Sequence, residues 1–240
     1  MTRNVILVSG LILAAAVAAG SSYCSAGSAG ARAPALPSQR YFVTVFAYED
    51  GRNNALKTHT FATFVRVPNE ANSLAGAARS DIDVHTISWL PAKFGETLKL
   101  GIFATKGKNY SLGETLEFAR RLKTEVRHWG PYEIDAAMYG DAMKQIARLN
   151  SGDVKYKIYN SAQNTLIKTK TKDVSHCIDA VGDVVGALHS GTARGFATGE
   201  LLVKHFEKHL LSPQPVHGLY DLVLQTPETD AALVGRTVQN

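Results

Sequence analysis

The chain has 240 residues, of which 45% are hydrophobic and 20% charged, and 26 basic against 21 acidic residues give a formal net charge of +5. Behind an N-terminal leader some 200 residues remain, enough for one domain with a sizeable core and too few for two. The sequence contains two cysteines, Cys24 and Cys177. Loss of Cys24 with the leader would exclude an internal disulfide.

Residues 1–26 are predicted to be an export signal. Arg3 provides a positive start, and the apolar run from Val5 to Ala19 is too short for a comfortable membrane span. Cleavage is expected between Ala18 and Ala26, and the bulky Tyr23 disfavours lipid attachment at Cys24. We therefore predict an exported protein, periplasmic or extracellular, that has no transmembrane span after signal removal.

The remainder is predicted to be a linker and a single domain. Residues 27–38 are rich in Ser, Gly, Ala and Pro, which is typical of a flexible linker, and residues 39–240 form the domain. Its first half shows strand patterns with aromatic and β-branched residues, at Tyr41–Tyr48, Thr58–Val67, Asp83–Leu90 and Leu98–Thr105. The short polar connections leave no room for crossover helices, so we expect a mostly antiparallel sheet whose first two strands form a hairpin.

Helical patterns dominate the second half. Ser111 and Glu114 form a capping box that opens a helix expected to reach Gly130, and Pro131 is expected to begin another that ends at Ser151. A short strand at Val154–Tyr159, a helix capped by Asp173 or Ser175 that reaches Leu188, a helix at Ala193–Leu211 and a last strand or extended arm at Val216–Gln225 follow. The predicted fold class is α+β, with the sheet packed against about four helices.

Cys177 is the residue most suggestive of chemistry, because it falls in the first turn of the third predicted helix. A helix N-terminus and a neighbouring imidazole both lower the pKa of a thiol and favour thiolate. His59 and His85 lie in two of the predicted strands. In this interpretation Cys177 is the nucleophile, His59 the general base and His85 the residue that orients His59. No cofactor and no metal are needed.

Each of these residues also has an ordinary structural interpretation. Cys177 could pack in the core, and His59 shares its strand face with Phe61 and Val65, so it could sit at the core edge. His176 is an alternative base, but neighbours on a helix point about 100° apart. His205 and His209 lie one helical turn apart, yet the spacing of Glu207 does not match the zinc-protease motif.

The order of these residues resembles the permuted papain-like hydrolases, the group that includes lecithin retinol acyltransferase and permuted relatives of NlpC-type cell-wall peptidases. The resemblance rests on the strand sequence Lys57-Thr58-His59-Thr60-Phe61, on His85, and on Val174-Ser175-His176-Cys177-Ile178 at a helix start. It implies a permuted papain-like fold, with His59, His85 and Cys177 as the catalytic set. Two features depart from the pattern: His176 stands where members often carry Asn, and two predicted helices lie between the second strand histidine and the cysteine.

The resemblance implies an exported cysteine hydrolase or acyltransferase that cleaves or transfers amide or ester bonds through an acyl-enzyme. Its substrate would be a cell-wall peptide or a lipid, and Trp89 and Tyr41 are the candidate substrate-binding residues. The alternative is a non-enzymatic exported α+β domain that binds an anionic cell-envelope surface through basic residues, with Cys177 in the core. Basic clusters occur at Arg120–Lys123 and Lys168–Lys172, and no nucleic-acid partner is predicted.

Overall fold

The computed structural model describes residues 39–51, 57–68, 82–93, 104–157, 174–186, 195–216 and 218–219. The strands within these ranges are β1 (Gln39–Glu49), β2 (His59–Pro68), β3 (Asp83–Ile87), β4 (Trp89–Pro91), β5 (Thr105–Asn109), β6 (Glu125–Ile134), β7 (Lys155–Tyr156) and β8 (Val174–Ser175). The helices are α1 (Leu112–Leu122), α2 (Ala136–Asn150), α3 (Cys177–Gly182) and α4 (Phe196–Phe206). Single 3-10 turns follow α3 at Asp183–Val185 and α4 at Glu207–His209.

The strands form two sheets. The larger has the order β3-β2-β1-β6 and is antiparallel throughout, so the predicted hairpin between the first two strands is confirmed. The smaller has the order β4-β5-β7-β8, and its β7 and β8 are parallel. The predicted α+β class, with mostly antiparallel sheets and four helices in the described part of the chain, is confirmed. The permuted papain-like arrangement stays a prediction.

The larger sheet separates two hydrophobic cores, because β1 and β2 are buried on both faces. The first core contains Ala62 and Phe64 of β2 together with side chains of α2, α3 and α4. The second core contains Phe61 and Val65 of β2 with side chains of α1. Since successive residues of a strand point to opposite faces, the parity of a residue number in β2 tells which core its side chain enters.

The segment after α1 differs from the prediction. The helix opened by Ser111 was expected to continue to Gly130, and a second helix to begin at Pro131. Instead α1 ends at Leu122 and β6 occupies Glu125–Ile134. Lys123 adopts the left-handed conformation with φ 54° and closes the helix. The β-forming side chains beyond it then pair with β1 along most of its length.

The later helices begin and end differently from the prediction. Asp135 caps α2 by accepting a hydrogen bond from Met138 N, so that helix begins after β6 and not at Pro131. His176 caps α3 in place of Asp173 or Ser175, and Gly186, with φ 62°, closes the 3-10 turn behind it. The short predicted strand near 154–159 is present as β7.

Other predictions fall wholly or mostly outside the described residues. These are the signal and linker (1–38), most of the strand expected at 98–105, the basic cluster at 168–172 and most of the C-terminal arm at 216–225. In the part of the chain that the structure describes, no helix combines the length and apolar character needed to cross a membrane.

Two helical glycines give a matched test of the packing. A methyl group at Gly199 in α4 would come 2.1 Å from Trp129 Cζ3, whereas one at Gly140 in α2 would meet no atom within 4 Å. Gly199→Ala is therefore expected to lower the free energy of unfolding by roughly 1–3 kcal/mol through overpacking. Gly140→Ala should raise it by roughly 0.5–1 kcal/mol, because alanine loses less backbone entropy on folding. Urea denaturation measures both, and equal effects would contradict the close contact between α4 and β6.

Candidate functional site

Cys177 is the first residue of α3 and a half-buried free thiol. It shares a helical face with Ala180 and Val181, which lie in the first core. The thiol therefore lies on the side of the larger sheet that α3 covers, next to the start of β2.

The surroundings of this thiol favour its neutral form. Burial, with a smaller contribution from the carboxylate of Asp179, raises the pKa of Cys177 to about 11. The backbone N–H groups of Thr60, Ile178 and Cys177 itself lower this pKa but do not outweigh burial. α3 is only six residues long, so its dipole is small. At neutral pH Cys177 is a protonated thiol.

His176, the alternative base, serves as the helix cap. Its Nδ1 accepts hydrogen bonds from the backbone N–H groups of Ile178 at 3.1 Å and Asp179 at 3.2 Å. Its Nε2 lies 3.4 Å from Asp179 Oδ2. Since Nδ1 accepts, the proton of the neutral ring is on Nε2. Both nitrogens of the ring are thereby engaged by groups in the first turn of α3.

His59 is fully enclosed at the start of β2, with 1% of its surface exposed. Its ring stacks on Phe61 at a centroid distance of 5.3 Å, and its Nε2 lies 2.9 Å from Ser88 Oγ. Ser88 Oγ is 2.7 Å from Thr115 Oγ1, which donates to the carbonyl of Ser111 at 2.7 Å. These contacts join β2, the junction of β3 and β4, and α1.

One arrangement of protons satisfies every contact in this chain. The Ser111 carbonyl can only accept, so Thr115 donates to it, Ser88 donates to Thr115, and His59 Nε2–H donates to Ser88. Nδ1 of His59 is then a bare lone pair, and it has no hydrogen-bond partner among the described residues. Burial lowers the pKa of His59 to about 3, so the ring is neutral at physiological pH.

Among the described residues no hydrogen bond joins the ring of His59 to the Cys177 thiol, because Nε2 bonds Ser88 and Nδ1 has no partner. His59 has the parity of Phe61 and points into the second core beneath α1, whereas α3 packs in the first core. The thiol instead receives the backbone N–H of Thr60, the residue that follows His59.

His85, the predicted orienting residue, is also separated from His59. It pairs with Phe64 across β2 and β3, so it points toward the first core side. Phe64 lies five positions beyond His59 on β2, and residues an odd number of positions apart on a strand point to opposite faces of the sheet. His85, which shares the face of Phe64, therefore points away from the face of His59. At about 3.3 Å per residue the two histidines are also some 16 Å apart along the sheet.

The predicted substrate-binding aromatics, Trp89 and Tyr41, both make packing contacts within the described residues. Trp89 is 1% exposed and packs in the first core against Gly107, where a methyl group would come 2.0 Å from its ring. Tyr41 is partly exposed, its ring centroid lies 4.6 Å from that of Tyr139, and its hydroxyl donates to Gln39. Neither side chain lies beside a thiol and imidazole pair.

Sequence reasoning missed two features. Ser88 and Thr115 are polar residues within apolar patterns, and such interruptions indicate a buried hydrogen-bond network. The second feature is a set of lysines on the smaller sheet. In β5 the exposed Lys106 and Lys108 alternate with the less exposed Thr105, Gly107 and Asn109. The sequence alone displays this alternation of lysine with uncharged residues.

We call Lys106, Lys108 and Lys155 the lysine face. Lys106 in β5 lies directly opposite Lys155 in β7, so the two side chains project from the same exposed surface. Lys108 follows on the same face and pairs with Glu114 at 2.8 Å. Among the described residues no carboxylate lies within 4.0 Å of the amino group of Lys106 or Lys155.

The described residues include no group of three or more His, Cys, Asp or Glu side chains arranged to hold a metal ion. His209 lies beyond α4 and bonds Asp135 at 2.9 Å. Comparison of the chain with protein-family models, with curated proteins and with solved structures finds no match. Function must therefore be argued from the chemistry of the chain itself.

The buried histidines predict acid sensitivity. Burial lowers the pKa of His59 to about 3 and that of His128 to about 4. The unfolded chain takes up these protons below pH 6.5 while the folded chain does not, so stability falls as the pH drops from 6.5 toward 3. Between pH 7 and pH 5 the free energy of unfolding should fall by about 2 kcal/mol because of His59, and His59→Phe should not show this part of the decrease. Urea unfolding at both pH values measures it.

Ser88→Ala is the control for that experiment, because it keeps the buried imidazole. It should lower stability by a similar amount at both pH values through the lost hydrogen bonds. An unchanged pH dependence in His59→Phe would show that His59 is not the buried neutral group described.

Proposed function

We propose that the chain is a non-catalytic, exported α+β domain that binds an anionic component of the cell envelope through the lysine face. The observation that carries this proposal is the direct opposition of Lys106 and Lys155 on an exposed surface. The formal net charge of +5 supports it.

The lysine opposition makes sense as a binding feature because it is unfavourable for folding. Like charges directly across an antiparallel pair are destabilising, and no described carboxylate neutralises these two. A ligand with closely spaced phosphates would neutralise both and release counterions. Phospholipid headgroups and wall polymers share that chemistry.

The inner face of the same strand gives this surface a rigid support. Gly107 lies between Lys106 and Lys108 and packs directly against the buried ring of Trp89. Asn109, two residues further, accepts from Ser88 N at 2.8 Å and donates to the carbonyl of Thr86 at 2.8 Å. The spacing of the lysines is thus held by the sheet and not by a loop.

Charge reversal at Lys155 should affect stability and binding in opposite directions. Lys155→Glu converts repulsion with Lys106 into attraction, so the free energy of unfolding should rise by roughly 0.2–1 kcal/mol. Binding to phosphatidylglycerol-containing vesicles, or to soluble polyphosphate, should weaken roughly tenfold or more. Co-sedimentation and fluorescence titration measure the two ligands, and their comparison shows which source of phosphate is preferred.

Lys204→Glu, an exposed lysine of α4, makes the same change of charge elsewhere and should weaken binding much less. Phosphatidylcholine vesicles should not bind. The proposal fails if neither anionic ligand binds, or if the two reversals weaken binding equally.

A cysteine hydrolase or acyltransferase is the second candidate, favoured by one observation. Cys177 opens α3 and meets the backbone of β2 beside His59, so the chain order of nucleophile and histidine follows the permuted papain-like pattern. Activity would require the ring of His59 to leave the second core and reach the thiol. Its hydrogen bond to Ser88 and its stacking on Phe61 oppose that movement.

The reactivity of the thiol distinguishes the two candidates. With Cys24 replaced by serine, Cys177 in the folded chain should react slowly with iodoacetamide at neutral pH, with an apparent pKa near 11. The rate should be unaffected by His59→Phe, since no hydrogen bond joins the ring to the thiol among the described residues. Rapid labelling at pH 7 that slows in His59→Phe would instead support the hydrolase.

A further inference from the structure

A second candidate binding site lies beside α2, and no strand residue lines it. It is an open pocket of about 530 Å³ between α2, the 3-10 turn that follows α3 and the 3-10 turn that follows α4. Its walls include Lys144, Arg148, Asp183, Val184, Val185 and Lys208. This volume lies within the range of small-molecule sites.

The guanidinium group of Arg148 is held in place within this pocket. It donates to Gln145 Oε1 at 3.1 Å and to Asp183 Oδ2 at 3.3 Å. Gln145 is itself buried and anchored, because its Nε2 donates to the carbonyl of Ala180 at 3.0 Å. The fork of Arg148 is therefore oriented by α3 before any ligand arrives, which reduces the entropic cost of binding.

The charges around the pocket leave one positive group in excess. Lys144 pairs with Asp141 at 2.8 Å, and Arg148 pairs with Asp183. Lys208 is exposed and has no carboxylate within 4.0 Å among the described residues. Val184 and Val185 add an aliphatic wall next to these charges. The combination of one uncompensated cation, an oriented guanidinium and an aliphatic wall matches a small monoanion that carries an apolar group.

We propose that this pocket binds a small organic carboxylate, with the carboxylate between Arg148 and Lys208 and an aliphatic group against Val184 and Val185. The site is independent of the lysine face, and its ligand is a small molecule and not a polyanion. If the lysine face does not bind an anionic envelope component, the proposal for this pocket still stands.

The test uses the full chain and two probes that differ only at the anionic group, N-acetylvaline and N-acetylvalinamide. N-acetylvaline should bind saturably in an NMR titration, with shifts confined to α2 and the two 3-10 turns. N-acetylvalinamide should bind at least tenfold more weakly, because it lacks the charge that Arg148 and Lys208 recognise. Equal binding of both probes, or binding of neither, would overturn the proposal.

Variants then test the assigned groups. Lys208→Gln should weaken N-acetylvaline binding about two- to fivefold, the effect expected of one exposed ion pair. Lys204→Gln, one turn earlier on α4 and outside the pocket wall, should leave it unchanged. Arg148→Lys keeps the charge but loses the fork, so it should weaken binding about tenfold, and circular dichroism checks that the variant folds. Equal losses in Lys204→Gln and Lys208→Gln would assign the effect to net charge and overturn the site.

Discussion

Burial of β1 and β2 on both faces is the constraint on which the rest of the structure depends. Seven successive residues of β1, from Phe42 to Tyr48, are buried. A strand in that position must be covered by helices on each side, so α1 covers one face while α2, α3 and α4 cover the other. The two cores are thereby isolated from each other, and a side chain of β2 can serve only one of them.

This isolation decides the chemistry open to His59. A position one residue later in β2 would place a side chain on the face toward α3 and its thiol. At its actual position the imidazole enters a core of aromatic rings, where the neutral form is favoured and Ser88 and Thr115 satisfy the donor. The hydrogen-bond network of His59, Ser88 and Thr115 contains the types of group found in a catalytic relay. It is closed to solvent at Ser88, which is 0% exposed.

The sequence predicts the strands of the hairpin and their buried faces well, because alternation and β-branched content are local signals. It even places His59 on the face of Phe61 and Val65. What it cannot reveal is which helices cover which face, because that depends on contacts between distant segments. The β6 segment shows the same limit: its register with β1 outweighs a helical pattern that continues past Leu122. The candidate site of Cys177, His59 and His85 stays a prediction for the same reason, since order along the chain does not report the side of the sheet that a residue faces.

Cys177 illustrates how position alone does not activate a thiol. A helix start is a favourable place for thiolate, yet α3 is short, Asp179 lies in its first turn, and the thiol is desolvated by burial. The effect of burial therefore exceeds the stabilisation of the thiolate that three backbone N–H groups provide. The two basic surfaces differ from the thiol, because their charged groups stay in contact with solvent. β5 exposes lysine at alternate positions, and α2 presents the oriented guanidinium of Arg148. Both surfaces combine fixed backbone support with positive charge, and the two proposals of anion binding depend on that combination.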